Sequence, residues 1–159
     1  MLIAGIGNVF LGDDGFGVEV VRRLLERPPQ EPLRVIDFGV RGFDLACALL
    51  DGYDAAILVD ATEQGGAPGT LYVIDADTSA PPEPSVSGHA LDPSRVFALA
   101  HALGGTIPPV RVVGCEPESL DGGEGGDGMT LSAPVRGAIE PAVDLVLALA
   151  ARLSGGHRA

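Results

Sequence analysis

Acidic residues stand where the apolar runs of this chain stop. Asp13 and Asp14 follow the glycine-rich segment after the first run, Asp37 ends the second and Asp60 ends the third. Carboxylates gathered in one place repel one another, and a cation placed between them relieves that repulsion. Of the three histidines, His157 falls in the C-terminal tail and His101 inside a helical pattern. His89 follows a long loop just before a helix, the placement that best suits a ligand. Two carboxylates and one imidazole would hold a borderline divalent ion and leave positions open for water or substrate. Each residue also has a plainer role to weigh against this one. Asp13 or Asp14 could cap a helix, although only one of them can. Asp37 could serve the backbone of the turn Phe38-Gly39-Val40-Arg41-Gly42, Asp60 could cap a turn, and His89 could be a surface residue. Cys115, at the end of a fifth apolar run, is either a soft ligand or a buried inert thiol.

Other chemistries lack their motifs. Gly5-x-Gly7 invites a dinucleotide reading, but the third glycine of that fingerprint would fall at Phe10, and the following helix opens with acids that would repel a pyrophosphate. A nucleotide- or flavin-binding domain of flavodoxin type is therefore a weaker alternative. No Gly-x-Ser-x-Gly elbow, phosphate-binding loop or His-Glu-x-x-His occurs.

The elements that must position these residues are legible as alternating runs. Leu2 to Ile6 reads as a strand, and from Gly15 the spacing of Phe16, Val18, Val20, Val21, Leu24 and Leu25 is helical up to Pro28-Pro29. Leu33 to Ile36, Ala55 to Val59 and Val110 to Gly114 read as further strands, and continuous apolar runs of this kind suit strands buried on both faces. Thr70 to Ile74, close after the third strand, is expected to be its antiparallel neighbour or an edge strand. Helices are expected over Phe43 to Leu50, from Asp92-Pro93 to about Leu103, and over Pro134 to Leu153. Asp75 to Gly88 and Asp121 to Gly128 read as loops. The expected architecture is α/β: a doubly wound, mainly parallel five-stranded sheet with helices on both faces, in one domain over 1–153, followed by a frayed tail over 154–159. In such a sheet ligands bind outside the carboxyl ends of the strands. If the second, first and third strands are neighbours, the acids face one crevice.

Composition agrees with this picture. With 159 residues the chain can bury one core, and 46% hydrophobic residues with only 4% aromatics and no Trp imply an aliphatic interior. A net charge of −12, with ten Lys and Arg spread along the chain, argues against nucleic acid as a partner. Cys47 and Cys115 lie far apart with no Cys-x-x-Cys spacing, which suits a reducing compartment. The N-terminus has no basic region or long apolar stretch, and no apolar run of ~18 residues could span a bilayer. A cytoplasmic protein that does not engage membranes is expected, as a monomer.

Taken together, the segment Gly5-Ile6-Gly7-Asn8-Val9-Phe10-Leu11-Gly12-Asp13-Asp14-Gly15-Phe16-Gly17-Val18 resembles the N-terminal signature of the hydrogenase maturation endopeptidases. These enzymes remove a C-terminal extension from the large subunit of nickel-iron hydrogenases. Asp37-Phe38-Gly39-Val40-Arg41-Gly42 is similar to that family's Asp-Gly-Gly-Thr-x-Gly turn, with Phe38 and Val40 where Gly and Thr are common. Leu58-Val59-Asp60-Ala61 is similar to its third-strand acid and Ser87-Gly88-His89 to its Ser-x-His loop. Gly114-Cys115-Glu116-Pro117-Glu118-Ser119-Leu120 and the stretch from Gly128-Met129-Thr130 to Pro141 also resemble family segments, so the likeness spans nearly the whole chain. The resemblance implies that Asp14, Asp60 and His89 are both the metal-binding and the catalytic residues. It implies that the metal is nickel supplied by the substrate, and that the partner is a hydrogenase large-subunit precursor. A non-cleaving, nickel-sensing checkpoint or chaperone of hydrogenase assembly would use the same residues.

Overall fold

The computed structural model describes residues 1–28, 30, 32–80, 91–120 and 130–155. β1 (Leu2–Ile6) is buried at every position and β3 (Ala56–Ala61) at all but the last, because each is flanked by strands on both edges and by helices on both faces. The sheet order is β2-β1-β3-β5-β4, with β2 spanning Arg34–Gly39, β4 Leu71–Asp75 and β5 Val110–Cys115. The pairs β1–β2, β1–β3 and β3–β5 are parallel, and β4 runs antiparallel to β5. β4 is thus the expected edge strand, but its partner is β5 and not its sequence neighbour β3. Parallel β5 takes the place beside β3, leaving only the outer edge of β5 for β4.

Between the strands run α1 (Phe16–Leu25), α2 (Gly42–Leu49) and α3 (Pro93–Ala102), and α4 (Ala133–Gly137) and α5 (Ile139–Gly155) follow β5. One face of the sheet carries α1, α4 and α5 over a core that includes Ile3, Phe16, Val20, Ile57, Val113 and Val143. The opposite face carries α2 and α3 over Leu2, Leu45, Leu58, Val96, Phe97 and Val112. Alternate residues of β1 and β3 thus go to opposite cores, as the two-residue period of a strand demands.

The last helix departs from the single run expected over Pro134 to Leu153. It breaks at Ala138, whose N–H turns back to the Val135 carbonyl at 3.1 Å. Pro141, which has no N–H to continue the ladder, sits in the first turn of α5, where a proline is tolerated. α5 continues through Gly155, so Ser154 and Gly155, expected in a frayed tail, are helical. Among the described residues no helix is long and apolar enough to cross a membrane.

Candidate functional site

The carboxyl ends of β1, β2 and β3 lie side by side, and a 3-10 turn, Gly12–Gly15, follows β1. Four acids are buried among the described residues: Asp13 (2% exposed), Asp14 (4%), Asp60 (9%) and Glu116 (6%). Burying a carboxylate is costly unless donors or charges compensate it, so the partners of each acid separate structural roles from chemical ones.

Two of the four are saturated with donors. Asp13 Oδ2 accepts from Glu118 N (2.8 Å), Ser119 N (3.3 Å) and Ser132 Oγ (2.9 Å), and Oδ1 accepts from Ser132 N (2.7 Å). Glu116 accepts from Gln64 N (2.8 Å), Gly65 N (3.1 Å) and the Tyr72 hydroxyl (2.8 Å), and these bonds hold its carboxyl below its ordinary range. Burial, together with the same contact, raises the Tyr72 hydroxyl. Neither acid caps a helix. The cap position of α1 is Gly15, without a side-chain bond, so the expectation that Asp13 or Asp14 caps this helix is not met.

Asp14 and Asp60 have a different environment. Asp14 Oδ2 accepts from Asn8 N at 2.8 Å, closing the loop on itself. Asn8 further shapes that loop by accepting from Phe10 N through Oδ1 (3.0 Å). The carboxyl of Asp60 is raised well above its ordinary value by burial first and by the charge of Asp14 second, against one lowering bond from the Ala61 N–H. Asp92 also raises it. That residue caps α3, accepting from Ser94 N at 2.9 Å, and its Asp-Pro opening was legible as a helix start but not as a third acid acting on Asp60. Asp14, in the 3-10 turn after β1, and Asp60, near the end of β3, thus act on one another.

Backbone approach makes this juxtaposition possible. At Gly7 (φ +131°) an added Cβ would lie 1.8 Å from the Asp14 carbonyl oxygen, and at Gly17 it would lie 2.0 Å from Val59 O and 2.4 Å from Ile6 O. Gly7, one of the two glycines that suggested an incomplete nucleotide fingerprint, instead lets the 3-10 turn close against it, and Gly17 lets α1 settle directly onto the ends of β1 and β3.

The remaining candidates fall elsewhere. Asp37 lies inside β2, which runs on to Gly39 across a register irregularity, and its carboxylate is 3.9 Å from Arg22 Nε. The turn after it is held by Arg41, which donates to the Phe38 and Asp37 carbonyls. Cys115 is buried, and burial with the nearby Asp13 and Glu116 charges pushes its thiol up to about 12, an inert state at neutral pH. His101 on α3 is exposed, with Nε2 2.9 Å from the Thr78 carbonyl. His89, with Ser87 and Gly88, lies outside the described residues, as does His157. The described chain resumes at Leu91, beside Asp92. Among the described residues no group of three or more His, Cys, Asp or Glu is arranged to hold a metal ion.

A family model described as HycI, hydrogenase maturation protease, matches residues 18–149. The hydrogenase expression/formation protein HupM of Azotobacter chroococcum mcd 1 is 36% identical, over 95% of this chain and 71% of its own length. The hydrogenase 2 maturation protease of Escherichia coli strain K12 is 32% identical, over 98% of this chain and 92% of its own. Among solved structures, the hydrogenase maturating endopeptidase HYBD from E. coli superposes with a TM-score of 0.77 at 29% identity, covering 97% of this chain and 93% of that one. A [NiFe] hydrogenase maturation protease HycI from Thermococcus kodakarensis KOD1 does so with a TM-score of 0.66 at 27% identity, covering 91% and 88%. With a family model matched across most of its length, and curated relatives aligned along nearly all of it, this chain belongs to the hydrogenase maturation proteases.

Proposed function

We propose that this protein removes the C-terminal extension of a [NiFe] hydrogenase large-subunit precursor after nickel insertion. In this reading Asp14, Asp60 and His89 meet the ion that the precursor carries. The observation that carries it is the buried pair Asp14 and Asp60, in which burial first and the charge of Asp14 second oppose ionisation of Asp60 and raise its carboxyl well above the ordinary range. A divalent ion brought up to two such carboxylates relieves both penalties at once, so the pair gains most when a metal-bearing substrate docks. His89, two residues before Leu91, would add an imidazole and complete a donor set suited to a borderline ion with open positions. The ion's chemistry would be Lewis-acid polarisation of the scissile carbonyl or activation of water. Asp13, with its oxygens engaged by four donors, is poorly placed to accept a proton as a base. The protein acts in the cytoplasm as a monomer.

Intact mass of a large-subunit precursor, with and without nickel, tests this reading. Loss of a C-terminal peptide from the nickel-loaded form alone is expected, with a rate lowered at least ~10²-fold in Asp60→Ala and His89→Ala. A stable complex without mass loss would instead identify a non-cleaving checkpoint. Equal cutting of the nickel-free form would remove nickel from recognition.

A further inference from the structure

We propose that Asp13 is a positioning residue: by gathering the two ends of the β5–α4 connection onto its carboxylate, it fixes the turn that presents Asp14 to Asp60. The proposal rests on the reading of Asp14 as a site residue.

Adjacent acids on one short turn divide their work. Asp14 binds back to Asn8, six residues away in its own loop. Asp13 reaches Glu118 and Ser119 on one side of the connection and Ser132 on the other, residues 105 to 119 positions later in the chain. Four donors converge on a carboxylate that is 2% exposed, three of them at 2.7–2.9 Å, the range of charge-assisted bonds, which are strong and costly to leave unmade. The turn has little of its own to define it. It is four residues long, has no side-chain cap, and is closed by the backbone bonds Asp14 N to Leu11 O (3.1 Å) and Phe16 N to Asp13 O. Beside the close approach at Gly7 and the Asn8–Asp14 bond, the long-range anchor of its orientation is what Asp13 grips. The capping role is vacant, since Gly15 precedes α1 without a side-chain bond, and four donors leave no room for a role as a base.

The experiment compares Asp13→Asn and Ser132→Ala with the native protein. The asparagine keeps the shape of the side chain but turns an NH2 toward one of the donors, whereas Ser132→Ala removes only the hydroxyl and leaves α4 without loss of a side-chain cap, because Ser132 makes none. Cleavage of nickel-loaded precursor should lose roughly 10- to 100-fold in kcat in Asp13→Asn with KM within about twofold, the range seen when an oriented ligand loses its support. Ser132→Ala should lose less in the same direction. Independently of activity, amide exchange at Asn8, whose N–H donates to Asp14, should accelerate at least ~10-fold in Asp13→Asn, while the strand amides of Leu2 and Ala56 keep their protection. Native kcat and native exchange at Asn8 in both variants would overturn the proposal. So would a uniform acceleration of all three amides, which marks a loss of stability only. If the native protein leaves the precursor uncut but Asn8 exchange rises selectively, the cleavage reading fails and the positioning of Asp14 by Asp13 stands.

Discussion

Asp60 and Glu116 are both buried acids, yet their environments push them in opposite directions, and the pH dependence of stability can tell them apart. The folded-state pKa of Asp60 is raised, so between its unfolded and folded values the native state holds a proton that the unfolded chain has released. The stability linked to that proton is fully present below the unfolded value of about 3.9 and is lost as pH rises through the folded value. Asp60→Asn, which keeps an acceptor for the Ala61 N–H but cannot ionise, should raise Tm at pH 7 by a few degrees, on the order of 1 kcal/mol. That gain should vanish as pH falls toward 4, and cleavage should be lost throughout. For Glu116 the sign reverses. Its folded value is lowered, so its contribution is present above the unfolded carboxylate range and is lost as pH falls through the folded value. Glu116→Gln should therefore lower Tm at pH 7, with the difference shrinking in acid. Melting curves of both variants from pH 4 to 8 check this. Parallel trends for the two substitutions would mean that neither acid feels the environment described.

At the scale of elements, the site depends on how closely α1 and the turn before it approach the sheet. Gly17→Ala would place a methyl within 2.4 Å of two carbonyl oxygens, Val59 O and Ile6 O, on the strands that carry the site. Backbone of a central sheet cannot yield as a side-chain tip can. The substitution should cost about 2–3 kcal/mol, or roughly 5–10 °C in Tm, and should slow cleavage even at temperatures where the variant is fully folded. Denaturation and cleavage measured on the same sample decide it, and native values for both would mean that α1 can retreat without consequence. The same close layering also explains what could be read in advance. Leu2 to Ile6 and Ala55 to Val59 were legible as strands buried on both faces because that burial leaves a continuous apolar run, whereas the same reading of Leu33 to Ile36 fell on β2, an edge strand that is largely half-buried. The acids were legible because a run must stop where the chain meets the crevice. Asp13 could be seen as one of a pair but not as the clamp of Ser132, because nothing local to either residue encodes a partner 119 positions away. The partnering of β4 with β5 was hidden for the same reason: proximity in sequence pointed to β3, and a competition between strands for one edge decided otherwise.

Over the whole molecule, a net charge of −12 and an isoelectric point near 4.4 mean that the folded chain repels itself at neutral pH. Much of this charge lies on the surface, where ions screen interactions beyond about 10 Å at 0.1 M salt. The native protein should therefore gain a few degrees in Tm between ~10 mM and ~300 mM NaCl at pH 7. The repulsion between Asp14 and Asp60 is of another kind, because both groups are at least nine-tenths buried and little salt can enter between them. The two contributions separate in one comparison. If Asp60→Asn relieves a buried repulsion, its Tm should exceed the native value by a similar margin at low and at high salt, while both proteins rise together as salt is added. A margin that disappears at ~300 mM would place the penalty on Asp60 in the general surface field, and the pair would then have no special claim to a cation. A margin that persists identifies a local electrostatic penalty at the ends of β1 and β3 that screening cannot reach and that an arriving metal ion can.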